Sequence, residues 1–273
     1  MRLPSIGLCA QTACIWEVMA KKPGNVHRDR DFDDLTFDDF VLSAIAIAPH
    51  MESARGRGVG ETILESVRAT KKVCRTNSNL GIILLIAPLS SVPEDGNLRS
   101  GVEEILASLT IRDAELTYQA IREAQPGGLG ESTEQDVNEA PTQTLREVMT
   151  LAADRDMIAR QYANGFEQIF DEALPVLEET LQNATVEQAV LKCYLRLLAR
   201  HPDSLIARKL GREQAQEVSR RAARVQPDSL EEFDNWLRKE GHSRNPGTTA
   251  DLIAGCLFVA LRTGVLRCDH SFH

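Results

Sequence analysis

Two Pro-Gly turns near opposite ends of the chain carry side chains suited to binding an anion. Residues 22–28 read Lys-Pro-Gly-Asn-Val-His-Arg, and residues 245–251 read Asn-Pro-Gly-Thr-Thr-Ala-Asp. Lysine and arginine bind phosphate. The threonines of the second turn precede an apolar segment, so a helix starting there would offer free backbone N–H groups beside hydroxyls and a carboxylate. The second turn therefore predicts a site for an anion or a metal–phosphate complex; for the first, an exposed loop with ordinary surface cations is the alternative.

An acidic segment follows the first turn. Residues 29–39 include six aspartates, among them Asp33 and Asp34. Mg²⁺ prefers one or two carboxylates together with phosphate oxygens of a substrate. A solvated acidic surface is the alternative. A metal–phosphate site is favoured because the aspartates directly follow the cationic side chains of residues 22–28, which could bind phosphate.

Two further polar clusters stand in front of apolar or helical segments. Thr76-Asn77-Ser78-Asn79 precedes the apolar run 82–89, and these side chains either cap a helix or line a pocket that recognises a ligand. His201-Pro202-Asp203-Ser204, followed by Arg208 and Lys209, brings a carboxylate close to two cations. A plain N-cap role for Asp203 is the alternative there.

Helices must position these clusters. Ala, Leu, Glu, Arg and Gln recur along the chain and aromatic residues make up only 5% of it, which favours helix over strand. The run 82–89 would suit a buried strand, but its helical neighbours favour a buried helix. We predict an all-α, single-domain, multi-helix bundle over residues 1–273. The predicted helices cover residues 5–20, 36–49, 60–70, 82–89, 102–109, 113–124, 142–153, 154–171, 186–200, 211–225, 228–240 and 249–264.

Composition excludes several classes of function. The net charge of −9 and pI near 5.3 argue against non-specific nucleic-acid binding. No apolar run approaches the roughly 18 residues that span a bilayer, and the N-terminus is not a secretory signal. Six scattered cysteines without a Cys-x-x-Cys pair indicate buried free thiols in a reducing cytoplasm. The sequence contains no P-loop, dinucleotide-binding glycine pattern or Ser-His-Asp order.

Taken together, these clusters resemble the triphosphoribosyl-dephospho-coenzyme A synthase family. Members carry an early Glu and a Lys-Pro-Gly-x-Val-x-Arg turn, an Asp and Phe-Ser helix, an Asn-Thr-His-Lys-Gly motif, an Asp-Thr-x-x-x-x-Arg-x-Gly stretch and a Pro-Gly-Gly-Ser-Ala-Asp-Leu-Leu-Ala stretch. The corresponding residues here are Glu17 with 22–28; Asp34, Phe37, Phe40 and Ser43; 77–81; 203–211; and 246–254. Five motifs in order over residues 17–254 are specific although each one alone is weak.

The resemblance implies an all-α enzyme that uses ATP, usually with Mg²⁺, as a glycosyl donor. Adenine leaves C1 of the ribose, and the 2′-hydroxyl of dephospho-coenzyme A attacks. Glu17, Asp251 and Asn79 would then be catalytic, the carboxylates stabilising positive charge on the sugar or holding the metal. Nucleotide-binding positions would be Lys22, Asn25, Arg28, Asn77, Arg208, Thr248 and Thr249. Metal-binding positions would be Asp33, Asp34 and Asp203.

The sequence departs from the family at Asn79 and Leu80, where members have His and Lys. Proton transfer is worth ~10²–10⁴-fold in rate, so the loss of a histidine with that role would matter. We therefore expect a divergent member that keeps the donor chemistry and whose acceptor is dephospho-coenzyme A or a related cofactor-precursor hydroxyl, such as that of a methanopterin-type precursor. An insertion-like region, residues 110–165, is a source of replacement groups. Two alternatives stay open: a metal-dependent nucleotide glycohydrolase or phosphohydrolase, and a catalytically silent nucleotide-binding protein. The oligomeric state is left open.

Overall fold

The computed structural model describes residues 4–94, 96–125 and 135–273. Within them the chain forms α-helices, one π-helix and one 3₁₀ turn, and no strand, so the all-α prediction is confirmed. The helices are α1 Ile6–Met19, α2 Phe37–Glu52, α3 Ala54–Arg57, α4 Val59–Val73, α5 Leu80–Ser91, α6 Leu98–Ser108, α7 Ile111–Ala124, α8 Leu145–Ala152, α9 Met157–Asn164, α10 Leu174–Leu181, α11 Val186–Arg200, α12 Ser204–Leu210, α13 Arg212–Ala222, α14 Leu230–Arg238 and α15 Gly247–Thr263. The π-helix, Gln168–Ala173, runs directly into α10.

Two helices, α5 and α15, form the centre of the core. Eleven of the twelve residues of α5 are buried, including Pro88, and α15 is buried from Leu252 to Leu261. A helix that is apolar all round has no face for solvent and must be enclosed by other helices. The prediction that the run 82–89 is a buried helix is therefore confirmed. The buried apolar residues around it form one cluster, whose members range from Ile6 to Leu266 along the chain. The assignment of residues 1–273 to a single domain stays a prediction.

Capping residues begin several helices where the sequence indicated. The Thr36 hydroxyl accepts from the backbone N–H of Asp39, and the Asp39 carboxylate accepts from the backbone N–H of Thr36, which makes a reciprocal capping box. The prediction of Thr36 as an N-cap is confirmed. Thr110, Thr144 and Thr185 begin α7, α8 and α11 in the same way.

Three boundaries differ from the prediction. The helix expected over residues 154–171 breaks at Gly165 and Phe166, which adopt positive φ values of 70° and 63°, and the chain continues as the π-helix. Pro49 lies inside α2 instead of ending it. Residues 174–181 and 204–210 form helices that the sequence pattern did not predict. The expected glycine-rich loop at residues 126–130 lies outside the described residues.

Five cysteines are buried and Cys268 is exposed, and all six are free thiols. In the described part of the chain, no helix is both long and apolar enough to cross a bilayer.

Candidate active site

The N-termini of four helices meet at one end of the core. The backbone N–H of Met157, the first residue of α9, donates to Ser204 Oγ at 3.3 Å, and Ser204 Oγ donates to Thr248 Oγ1 at 3.0 Å. These bonds join α9, α12 and α15. The start of α5 lies against the same region, because a carbon at the Cβ position of Gly81 would be only 2.0 Å from Asp251 Oδ2. Helix N-termini carry partial positive charge and unpaired N–H groups, so their convergence suits an anionic ligand.

Asp251 holds the carboxyl group at the centre of this arrangement. It is enclosed by protein yet keeps part of its side chain accessible to solvent, and it makes no hydrogen bond to any of the described residues. Burial raises the pKa of Asp251 well above its usual range, and the nearby charges of Glu17 and Asp203 raise it further, while Arg208 opposes them. A carboxyl that is largely shielded from water and has no protein partner is costly, which is typical of a group that serves a ligand.

Glu17 and Lys22 form a buried ion pair beside Asp251. Lys22 Nζ lies 2.9 Å from Glu17 Oε1, and it also donates to the carbonyl oxygens of Glu17 and of Ala20. An ammonium group has three donors, so all of those of Lys22 are in use. Burial raises the pKa of Glu17, and Lys22 opposes that rise. Lys22, predicted to bind nucleotide, is therefore placed as the counter-ion of Glu17.

The two Pro-Gly turns touch each other. Asn25 Nδ2 donates to Asn245 Oδ1 at 2.5 Å, which joins the first turn directly to the second. Two residues hold the first turn from behind: Tyr194 Oη donates to Pro23 O at 2.7 Å, and the Gly24 N–H donates to Asp234 Oδ1 at 2.6 Å. The turns thus form one continuous wall.

Arg28 points away from this wall. Its Nη1 donates to Met19 O at 2.9 Å, and its Nη2 binds the carboxylate of Glu187 on α11 at 3.1 Å. The structure therefore does not bring Arg28 together with the other predicted nucleotide-binding residues.

The two predicted asparagines before α5 have different surroundings. Asn77 is exposed, and its Oδ1 accepts from the backbone N–H of Leu80 at 3.1 Å. Asn77 thus satisfies the first backbone N–H of α5 from two residues before the N-cap position, in the manner of the capping interpretation of this cluster. Asn79 is only 4% exposed, and its Nδ2 has no hydrogen-bond partner in the described chain. Buried amides are normally satisfied, so Asn79 has a donor available for a ligand.

Asp203 joins α12 to α15. Its Oδ1 accepts from the backbone N–H groups of Leu205 and Ile206, and its Oδ2 accepts from the N–H and hydroxyl of Thr249 at 2.7 and 2.8 Å. Burial raises the pKa of Asp203, and these hydrogen bonds oppose the rise. Asp203 is thus an N-cap, as the alternative interpretation held, and it also fixes the start of α15. The predicted nucleotide-binding residues Thr248 and Thr249 both contact the start of α12.

The predicted metal-binding residues do not gather at one point. Asp33 and Asp34 are exposed, and Asp203 is buried with both oxygens bound. The cation of Lys209 lies near both Asp34 and Asp203, which disfavours a second cation there. No group of three or more His, Cys, Asp or Glu side chains that could hold a metal occurs among the described residues. These three residues fit a bound Mg²⁺ poorly, and their assignment stays a prediction.

Sequence reasoning did not foresee the roles of three residues that shape the site, although Asp156 belongs to the region 110–165 that was expected to supply replacement groups. Asp156 caps α9 and binds Arg208, and its place just before the apolar start of a helix is a signal that could have identified it. Tyr194 and Asp234, which hold the first turn, belong to distant helices. No local pattern marks them, because their roles arise from tertiary packing.

Comparison with known proteins agrees with the motif order. The sequence profile of the CitG family, ATP:dephospho-CoA triphosphoribosyl transferase, matches residues 4–268. A crystal structure of a protein from Archaeoglobus fulgidus, provisionally described as a triphosphoribosyl-dephospho-coA synthase, is similar with a TM-score of 0.69 and 28% identity. The similarity covers 82% of this chain and 99% of that one. No curated protein matches the chain significantly.

Proposed function

The chain belongs to the family of ATP:dephospho-CoA triphosphoribosyl transferases, and we propose that it transfers the triphosphoribosyl group of ATP to a hydroxyl of dephospho-coenzyme A or a related cofactor precursor. The observation that carries this proposal is the Asp251 carboxyl, without a protein partner, at the meeting point of the helix N-termini. In that arrangement the helix N-termini would bind the polyphosphate, and the neighbouring carboxylate would stabilise a positively charged sugar.

The negative region suits the reacting sugar. When the bond from C1 of the ribose to N9 of adenine breaks, positive charge develops on the sugar, and a nearby carboxylate stabilises it. Asp251 would face C1, with Glu17 adding to the local negative potential. The Asn79 amide would donate to a sugar hydroxyl or to the adenine edge.

The atoms and charges balance with Asp251 as the base. The acceptor oxygen forms the new bond to C1 while its proton passes to the ionised form of Asp251, which is a stronger base than an ordinary aspartate because its pKa is raised. Adenine leaves with the electron pair of the broken bond and takes a proton from solvent. Mg²⁺ would enter with the triphosphate, whose oxygens would supply most of its ligands. No step in this scheme depends on it.

The departure from the family at residues 79–80 bears on the acceptor. The histidine is replaced by an amide, which does not act as a general acid or base at neutral pH, and the lysine is replaced by Leu80, which is buried at the start of α5. An acceptor other than dephospho-coenzyme A, including a methanopterin-type precursor, is therefore part of the proposal.

Adenine release tests the function. The protein is incubated with ATP and Mg²⁺, with dephospho-coenzyme A, a pterin-ribitol or no acceptor, and products are separated by chromatography and weighed by mass spectrometry. We expect adenine and a triphosphoribosyl adduct only with an acceptor, and neither product with Asp251→Asn. Equal adenine release without acceptor would indicate a glycohydrolase, and phosphate release a phosphohydrolase. ATP binding without turnover on any acceptor would indicate a silent binding protein.

A further inference from the structure

Asp156 uses its two carboxylate oxygens for two different tasks. Oδ1 accepts from the backbone N–H groups of Ile158 and Ala159 at 2.8 and 3.2 Å and so caps α9. Oδ2 accepts from Nη1 of Arg208 on α12, forming an ion pair. A helix N-cap needs only one side-chain oxygen. The second oxygen is therefore available to fix the arginine.

Arg208 is held at one corner only. A guanidinium group has five N–H donors in a rigid fork that matches phosphate geometry. Among the described residues, Asp156 is the hydrogen-bond partner of Arg208, and the Nε and Nη2 donors bind none. About a third of the side chain is exposed, so these donors can meet a ligand.

The pair lies beside the reactive end of the site. The charges of both Arg208 and Asp156 act on Asp251, the former lowering and the latter raising the pKa of its carboxyl. Ser204, one helical turn before Arg208, bonds to Thr248 at the start of α15 and accepts from Met157 at the start of α9. The arginine thus stands among the converging N-termini.

We propose that Asp156 is a positioning residue that holds one corner of the Arg208 guanidinium so that its remaining donors bind the triphosphate of the nucleotide. This inference rests on the proposed function, because it assumes that ATP occupies the site. Fixing a long, flexible side chain before binding lowers the entropic cost of the contact. Asp156 lies in the insertion-like region 110–165, so this region would supply the residue that positions Arg208.

Two substitutions separate positioning from capping. Asp156→Asn keeps a good N-cap but removes the charge that binds Arg208, whereas Asp156→Ala removes both. Asp171→Asn is a matched control, because Asp171 forms an ion pair with Arg99 that joins the π-helix to α6, away from the helix N-termini described above. Thermal unfolding verifies that each variant is folded.

Calorimetric titration with ATP and with AMP, both with Mg²⁺, measures the effect without requiring turnover. We expect Asp156→Asn to weaken ATP binding about 5- to 10-fold and to leave AMP binding nearly unchanged, in line with the loss of one partly exposed charge contact. Arg208→Ala should weaken ATP binding more, and adding Asp156→Asn to it should cause no further loss. Asp171→Asn should bind both nucleotides as the wild type does.

Each other result overturns the inference. Unchanged ATP binding by Asp156→Asn, equal weakening of ATP and AMP, or additive loss with Arg208→Ala would contradict positioning. Tighter ATP binding would show that Asp156 competes with phosphate for the arginine. Wild-type protein that binds ATP no better than AMP would show that the triphosphate is not recognised. Adenine release by the wild type tests the proposed function separately. If no adenine is released with any acceptor, the proposed function is wrong, but a selective loss of ATP binding in Asp156→Asn would still support the positioning of Arg208 by Asp156.

Discussion

At Gly81, the addition of a single methyl group should lower the catalytic activity much more than the stability of the fold. Gly81→Ala would place Cβ 2.0 Å from Asp251 Oδ2 and 2.5 Å from Asp251 Cγ, whereas real contacts at Cβ essentially never fall below 3.0 Å. Because the carboxyl carbon itself is inside that limit, rotation of the carboxyl group alone cannot relieve the clash. Asp251 must therefore retreat by about 1 Å or α5 and α15 must move apart, and close packing of the core resists the second.

The magnitude follows from the displacement. A misplacement of about 1 Å in a catalytic group can cost ~10²-fold in rate, which is about 2.7 kcal/mol of transition-state stabilisation. The effect on folding is smaller, because overpacking costs about 1–3 kcal/mol and replacing glycine by alanine inside a helix returns up to about 1 kcal/mol. We therefore expect a folded protein with a kcat/KM for adenine release about 100-fold below that of the wild type.

Gly101→Ala is the control. It also adds a methyl group in a helix, here 2.4 Å from Val92 Cγ1, so it imposes a comparable packing strain far along the chain from Asp251. Urea unfolding should show similar stability losses for the two variants, and adenine release per folded molecule should fall only in Gly81→Ala. Full activity in folded Gly81→Ala, or an equal loss in Gly101→Ala, would refute the role given to Asp251.

Three further predictions concern neighbouring groups. Because burial raises the pKa of Asp251 above that of the unfolded chain, the folded state holds its proton more tightly, and this contribution to stability is lost as pH rises through the folded pKa. Asp251→Asn should therefore have a Tm above that of the wild type, by a margin that grows as the pH rises above the pKa of an ordinary aspartate towards the raised pKa of the folded state; a margin that shrinks would contradict a raised pKa. Lys22→Met leaves Glu17 buried without its counter-ion and should lower the free energy of unfolding by about 3–5 kcal/mol, while the double variant with Glu17→Gln should recover most of this in urea titrations but no activity. Asn79→Ala should lower kcat/KM about 10-fold or more with little change in Tm, whereas Asn77→Ala, which removes a cap, should cost about 1 kcal/mol of stability; the opposite pattern in the two variants would exclude a ligand-binding role for the Asn79 amide.

Local signals were sufficient for most of the helices. Thr36 begins α2 because a threonine followed three residues later by an aspartate forms a capping box wherever the backbone turns into a helix. The apolar run after Asn79 is a helix because no neighbouring strand exists in the described chain to pair with it. The break at Gly165 was harder, since a glycine inside a helical pattern is compatible both with continuation and with a left-handed C-cap.

The sequence indicated which residues to consider for the site, but it did not indicate which of them contact one another. The sequence identified both Pro-Gly turns as candidate parts of the site, and the structure brings them into contact through Asn25 and Asn245. Spacing could not reveal that Lys22 has no free donor or that Arg28 binds Glu187, because both facts depend on partners that folding brings close. A sequence identifies side chains able to bind phosphate, and only the structure shows which of them are already occupied.

The distribution of charge around Asp251 explains why such a costly arrangement would be maintained. Burial raises the pKa of Glu17, Asp203 and Asp251, and the charge of an ionised Glu17 adds to the rise at Asp251, so ionising Asp251 is costly in the protein alone. An anionic triphosphate would be repelled by an ionised Asp251 and belongs on the side of the site where Arg208 lies. A sugar that becomes positive during transfer would instead relieve the repulsion, and most strongly at the moment when its charge is greatest. Interactions that strengthen only in the transition state are the ones that raise kcat. The destabilising carboxyl cluster and the catalytic role of Asp251 are therefore two consequences of the same electrostatics, and variants that neutralise Asp251 should gain stability and lose activity together.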